Sequence, residues 1–233
     1  MTQLTTIIRK SSEKSVLTGA IPVLFWLVFI GNLIFSLFHF PNMPEWKWGD
    51  LFKFNGFSAL LWTTVSFFGG VITTYASSYF KDSGQRSKFM LLCLGFTVAV
   101  MLFLVSEHIV LLMFSWLLMG AVMSNLIGLD SQWGEAREAK RFARQYFVIG
   151  SVFLTIGLIL LASYNQTITL SGLINGIGKT PDHIVVISAL CIIIAALIQS
   201  AIFPFHKWLL SSMTAPTPAS ALMHAGFVNG SGI

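Results

Sequence analysis

Charge is what this chain has least of. Only 10% of its 233 residues are Asp, Glu, Lys or Arg, against about 25% in a soluble domain, so water is not its main solvent. Cysteine is nearly absent as well: Cys93 and Cys191 both sit inside apolar runs. They form no CxxC pair and no His/Cys cluster, which excludes iron–sulfur and zinc sites. No GxGxxG fingerprint appears, so NADH or flavin binding by this chain is disfavoured. The segment Gly172 to Thr180 imitates a phosphate loop but has Leu173 where the first glycine belongs, and no strand precedes it. Lys and Arg outnumber the acids by 14 to 9, but they are scattered between hydrophobic segments rather than gathered on one face, which argues against nucleic acid.

What remains is hydrophobic, at 55% of the residues with a mean hydropathy of +0.78. A backbone immersed in hydrocarbon must satisfy its own hydrogen bonds, which leaves helices or closed barrels. The apolar runs are long and continuous rather than alternating, and this selects helices. Six spans are expected, at about residues 17–38, 58–80, 89–106, 108–128, 145–164 and 183–203, each near the ~20 residues a bilayer requires. A seventh begins near Thr217. Only Glu107 and His108 separate the third and fourth spans. Residues 1–16 form a segment outside the membrane and 17–233 the transmembrane domain. The first run is long and lacks a small-residue cleavage site, so it reads as a retained anchor.

Basic residues set the expected orientation. The N-terminal segment has Arg9, Lys10 and Lys14, the next loop on that side Lys81, Arg86 and Lys88, and the 129–144 segment Arg137, Lys140, Arg141 and Arg144. The other side has Lys47, Lys53 and Lys179. The positive-inside rule places the N-terminus and the 129–144 segment in the cytoplasm of a multi-pass protein of the cell (inner) membrane, with Trp46 and Trp48 in the outer interfacial belt. Asn165 opens an outward-facing Asn-Gln-Thr sequon. Residues 134–144 read as a short surface helix, with Arg137, Arg141 and Arg144 on one face and Glu138 within reach of Arg141. This face suits anionic lipid or a docked soluble partner.

Residues 199–233 hold the remaining signals. Pro204 near the end of the sixth span removes a backbone hydrogen bond and should kink it. Gln199 and His206 are seven residues apart, on one face of an unbroken helix. Thr217 is placed to cap the next helix with Pro218 at its first position, following Pro216. His224 follows within two turns, at a depth where imidazole needs a partner or water. Gly226 and Gly230 form a GxxxG face. A histidine beside a broken helix is suited to passing protons, because it titrates near neutrality.

Three blocks carry a family resemblance. WLLSSMTAPTPASALMHAG, FNGFSALLWTTVSFFGGVITTYASSYF and LLMFSWLLMGAVMSNLIG resemble stretches of the antiporter-like membrane subunits of respiratory complex I and the Mrp-type cation/proton antiporters. Lys140-Arg141-Phe142 stands where that family has a lysine-containing KAF. FPFHKWLLSSMTAPTPASALMHAGFVN is most similar to the DabB (MpsA-type) branch. The resemblance implies an all-α polytopic bundle of the inverted-repeat type with a broken helix, of which only the first repeat, without its completion, is expected here. It also places Leu117 and Gln199 where the family carries an acidic residue and a lysine that pair, so neither partner can ionise here. Replacing both members of a buried pair strands no charge.

The function implied is that of a membrane proton-conducting subunit of a DabAB-type system that takes up inorganic carbon (CO2 or bicarbonate). Its partners would be the bilayer and a large peripheral zinc-containing DabA-type subunit. The alternatives are a proton-translocating subunit of a complex I-like NADH:quinone oxidoreductase, with membrane and redox partner subunits, and a non-conducting scaffold. Mrp-type antiport fits less well, since it would retain the ion pair. No catalytic residue, metal ligand, cofactor or nucleic-acid partner is expected. The candidate proton groups are His224, His206, Lys207, Gln199, Lys140, Glu107 and His108. The broken-helix residues are Pro204, Pro216, Pro218, Gly226 and Gly230, and the docking candidates are Arg137, Arg141 and Arg144.

Overall fold

In a computed structural model the chain is described at residues 2–39, 42–81 and 83–224, with side chains from residue 18 onward. Six helices are long and apolar enough to cross a membrane. They are α1 (Thr2–His39, apolar over Thr18–His39), α2 (Gly56–Tyr79), α3 (Arg86–Val105), α4 (Ile109–Ile127), α5 (Gly134–Asn165) and α7 (Asp182–Gln199). Short helices α6 (Leu170–Gly176), α8 (Lys207–Ser211) and α9 (Thr217–His224) complete the bundle. Neighbours in sequence pack as neighbours in space from α1 to α5, α7 lies on α5, and α9 folds back onto α2 and α4.

Small residues fix how close the helices come. Gly150 and Gly157, two turns apart on α5, both face α7. A Cβ at Gly157 would stand 2.9 Å from the Ser188 carbonyl oxygen and 2.9 Å from Ile192 Cγ1. Hydrocarbon supplies no hydrophobic drive between helices, so close van der Waals contact at such positions is what holds them. On α4, Gly120 leaves room for Phe147 of α5, whose Cβ a side chain there would meet at 2.9 Å.

Two short strands, β1 (Trp46–Trp48) and β2 (Phe52–Phe54), form an antiparallel hairpin between α1 and α2 that the hydropathy pattern did not reveal. Its register pairs Trp46 with Phe54 and Trp48 with Phe52 on one face, and Lys47 with Lys53 on the other, as the period-2 pleat requires. The aromatic face is stapled to the bundle by Phe35 on Trp46 at 5.5 Å and Trp62 on Phe54 at 5.5 Å. With α2 and α3 it bounds an apolar cavity of about 550 Å³ lined by Trp46, Trp48, Phe52, Phe54, Trp62 and Met101 among others. The expected interfacial tryptophans are therefore strand residues.

Several expectations need correction. Residues 134–144 are no separate surface helix but the first turns of the 32-residue α5, because no glycine or proline stands between Glu135 and Ile149 to separate them from the apolar run. Glu138 makes no ion pair with Arg141. Among the described residues the ion pair is Lys53–Glu45, at 3.9 Å and largely exposed. The sixth span stops at Gln199 instead of 203, so Pro204 lies beyond the helix rather than kinking it. Gln199 and His206 consequently share no helix face. Thr217 is the first residue of α9 rather than its cap, since the Pro216 carbonyl already accepts the Ala219 and Ser220 amides. Gly226 and Gly230 lie outside the described residues.

The α5–α7 seam yields a stability prediction. Gly157→Ala must push α7 away from α5 and should lower the unfolding free energy in detergent by about 1–3 kcal/mol. Gly95→Ala, with open space around its Cβ, should be neutral or stabilise by up to about 1 kcal/mol. Equal melting curves for the two variants would show that the seam does not depend on close approach.

Candidate functional site

The centre of interest is the chain between α7 and α9. α7 ends at Gln199, Ala201 takes a left-handed φ of 52°, and the Phe203–Pro204 peptide is cis. An alanine in that region costs about 1–2 kcal/mol, so the surrounding structure must enforce it. The exposed carbonyls at the end of α7 do find donors. Ser200 donates to Ala196, Ile202 to Leu197, and Ile198 accepts both the Ala201 amide and the Trp208 indole Nε1 at 2.9 Å. Trp208 is fully buried, and its ring meets Phe147 edge-on at 4.7 Å. One side chain thus clamps α8 to the end of α7 and to α5.

Gln199 is buried at this break, at 2% exposure, and shares the inward face of α7 with Ser188 three turns earlier. Among the described residues Ser188 Oγ is buried with no hydrogen-bond partner, and so is His206 Nδ1, whose ring stacks on Phe203. Lys207 begins α8. Leu117 is half-exposed and lines a separate shallow cavity of about 280 Å³ with Ser151 and Thr155 of α5, to which Gln199 does not contribute. The two positions that would carry an ion pair therefore hold neutral side chains in different surroundings.

Lys140 lies at the same end of the bundle. Its stem crosses Gly128, where a Cβ would meet Lys140 Cβ at 2.8 Å, and its ammonium donates to Asn125 Oδ1 at 2.7 Å. Lys88 donates to the Leu129 carbonyl at 3.0 Å on the same turn. Asn125 is not among the residues the sequence singles out, because the contact of Gly128 with the Lys140 stem that brings the two together is set only by the packing of α4 on α5.

Glu107 and His108 occupy the far end, beyond α4, whose 19 residues span about 28 Å. Glu107 is buried at 7% exposure, and its carboxylate accepts the Ser171 amide at 2.8 Å, capping α6 from another segment. Its own amide donates to Leu51 and its carbonyl accepts from Leu170. His108 Nδ1 accepts the Val110 amide at the start of α4. These two residues tie the hairpin to the 168–171 loop and have structural partners. His224 is exposed on α9, and among the described residues no hydrogen bond or ring contact joins it to the other candidates.

Between the two ends lie buried hydroxyls that hydropathy cannot distinguish from filler. They are Ser66 and Thr73 on α2, Thr97 on α3, Ser115 and Ser124 on α4, and Ser151 on α5. Each donates to a carbonyl three or four residues earlier in its own helix. Their donor capacity is used locally, while acceptor lone pairs stay available.

The fold is that of a multi-pass helical membrane bundle whose α7 ends in a break before α8. Residues 106–233 match the family described as "NADH:quinone oxidoreductase/Mrp antiporter, TM", and the chain belongs to that family. It is 27% identical over 203 residues to a probable inorganic carbon transporter subunit, DabB1, of Halothiobacillus neapolitanus, covering 81% of this chain and 36% of the relative. It is 30% identical over 217 residues to a putative antiporter subunit, mnhA2, of Staphylococcus haemolyticus, covering 90% and 27%. It is also 28% identical over 172 residues to NADH-quinone oxidoreductase subunit L of Mycobacterium tuberculosis, covering 72% and 27%. The chain thus spans about a third of the length of these relatives, or less.

The clamp at the break can be tested directly. Trp208→Phe keeps a six-membered ring but removes the N–H with the rest of the indole, leaving the Ile198 carbonyl one donor short and a small cavity, and should cost about 2–3 kcal/mol. Trp208→Ala removes the ring as well and should cost about 3–5 kcal/mol. Unfolding in detergent measures both, and a Trp208→Phe protein as stable as the parent would show that the indole bond is dispensable.

Proposed function

We propose that this chain is the proton-conducting membrane part of a DabAB-type complex that couples a cation gradient to uptake of CO2 or bicarbonate. The observation that carries the reading is the neutral pair of positions, Leu117 and Gln199, beside a break built from PFHKWLL. A buried acid–lysine pair would be a costly feature that a pump retains for switching, and Leu117 and Gln199 leave the two matching positions without it. A relative named as an inorganic carbon transporter subunit, matched over 81% of this chain, is compatible with this reading.

In this reading protons enter from the side carrying Glu107, which we take to be external. They reach the break through water held against the buried Ser and Thr oxygens. Gln199, the unpartnered Nδ1 of His206 and the unpartnered hydroxyl of Ser188 offer that water acceptors and donors. His206, His224 and Lys207 are the groups able to take up and release a proton, with Lys140 at the exit. Each charge crossing a 100 mV potential releases about 2.3 kcal/mol. That energy would bias a large peripheral, zinc-containing DabA-type subunit on the cytoplasmic face, in the cell inner membrane. The N-terminus and the basic loops are cytoplasmic in this arrangement.

A second reading has one observation in its favour, the match to NADH-quinone oxidoreductase subunit L. It makes the chain a proton-translocating membrane subunit of a complex I-like enzyme. A third, a non-conducting scaffold, draws on the same missing charges at Leu117 and Gln199.

Full-length protein co-expressed with its DabA-type partner should restore growth in air to carbonic-anhydrase-deficient cells. His224→Ala and His206→Ala, at matched membrane levels, should each abolish it. Growth that survives both substitutions would remove the histidines from the pathway. Purification with flavin and iron–sulfur subunits would move the assignment to the second reading. Restored growth without proton flux in liposomes would favour the scaffold.

A further inference from the structure

Trp46 and Trp48 border two cavities of opposite character. One, of about 550 Å³, lies between the hairpin's aromatic face, α2 and α3. The other, shallow and about 510 Å³, is completed by Glu45 and Lys47. The hairpin's attachments fix its level in the bundle. Its Leu51 carbonyl accepts the Glu107 amide, and Phe52 bridges to Ser106, so it sits at the end of α3. The 20 residues of α3 span about 30 Å, the thickness of a bilayer's hydrocarbon. The apolar cavity runs from the hairpin along Val98 to Val105, about 10 Å of α3, and on α2 it reaches Trp62, about 9 Å from that helix's start. It therefore begins at the membrane surface and descends into one leaflet. Trp46, Trp48 and Val98 are exposed, so it is open to that leaflet.

The lining limits what can fill it. Every side chain there is aromatic or aliphatic, and the Trp62 indole already donates to the Met101 carbonyl at 3.1 Å. Water needs two to four polar partners, which these walls do not supply. A polar ring, such as a quinone, would leave its carbonyls unpaired. Left empty, the walls would forfeit their dispersion contacts. An acyl chain meets these conditions. A methylene takes up nearly the volume of a water, about 30 Å³, so the space suits a chain of about 18 carbons.

The polar cavity bears on the head group. Lys47 and Lys53 share the hairpin's other face, and Glu45 reaches Lys53 at 3.9 Å. Glu45 and the turn residue Asp50 balance the two lysines, so this surface carries no net charge. It suits a head group that is itself neutral overall but carries both signs. A phosphate complements Lys47, and a primary ammonium complements the remaining lone pairs of the Glu45 carboxylate.

We propose that the hairpin seats one phospholipid with an ammonium head group. One acyl chain fills the apolar cavity, the phosphate meets Lys47 and the ammonium meets Glu45. Hydrocarbon gives no hydrophobic drive for the tail to leave the bilayer. Filling the void and pairing the head group are what hold this lipid more firmly than its neighbours. The site is independent of the DabAB-type reading above.

The test uses the full-length protein, delipidated in mild detergent, with phosphatidylethanolamine as probe. Native mass spectrometry and melting curves are the readouts. Wild type should bind a single molecule saturably, and more tightly than phosphatidylglycerol. Val98→Trp, which fills the cavity from its open side, should weaken binding at least about tenfold, and so should Trp48→Ala, which removes the wall common to both cavities. Lys47→Glu should weaken it about fivefold. Leu91→Trp, about two turns before Val98 and exposed on the same helix, should bind as wild type does. Melting curves without lipid confirm that each variant is folded. Binding by wild type that never saturates, or wild-type affinity in folded Val98→Trp and Trp48→Ala proteins, overturns the site. An equal loss in Leu91→Trp marks a general lipid effect and also overturns it. Tighter binding of phosphatidylglycerol overturns the head-group assignment and the proposal with it.

Discussion

Hydrocarbon offers no hydrogen bonds, so a helix that stops within a membrane bundle must have its last carbonyls satisfied by the protein itself. That constraint governs the region between α7 and α9. The chain meets it with amides from Ser200, Ala201 and Ile202 and with the indole of Trp208. Trp208 reaches Ile198 because α8 is pressed against Phe147, and Phe147 fits because Gly120 leaves it room on α4. The end of α7 is held at α5 by Gly150, whose missing side chain admits Ile198. Packing of small residues and satisfaction of the break are thus one arrangement. The left-handed Ala201 persists because its neighbours over-determine it.

Within that frame the polar groups separate into two sets. Glu107 and His108 hold the loops at one end, and Gln199, His206, Lys207 and Lys140 gather at the other. The middle of the bundle has hydroxyls whose protons are already donated to their own helices. A bundle of this kind carries little fixed charge across its core, and Leu117 with Gln199 keeps it so. In the proposed reading, proton transfer through it falls on water and on the imidazoles of His206 and His224.

α5 links this interior to whatever lies outside. The same helix carries Gly150 and Gly157 against α7, Phe147 against Trp208, Lys140 over Gly128, and the exposed Arg137, Arg141 and Arg144 on its first turns. This gives the α5 seam a place in the stability of the break as well as of the bundle.

Hydropathy alone determined the class, the number of spans and most of their limits, because an 18-residue apolar run has no other stable home. The motif order from Asn55 onward carried the family as well. The break was legible as a proline near a helix end, yet its location was not. Where α7 stops depends on which carbonyls can find donors, and Trp208 supplies one from ten residues away. Likewise the alternation of Trp46-Lys47-Trp48 and Phe52-Lys53-Phe54 around Gly49, which takes a φ of 57°, is a hairpin signal too short for hydropathy to register, and aromatic contacts with α1 and α2 hold it in place. The arginine spacing was visible in the sequence, but whether residues 134–144 form a helix of their own was not. Their continuation into α5, held by its packing against α4, α7 and α8, was decided by the tertiary structure.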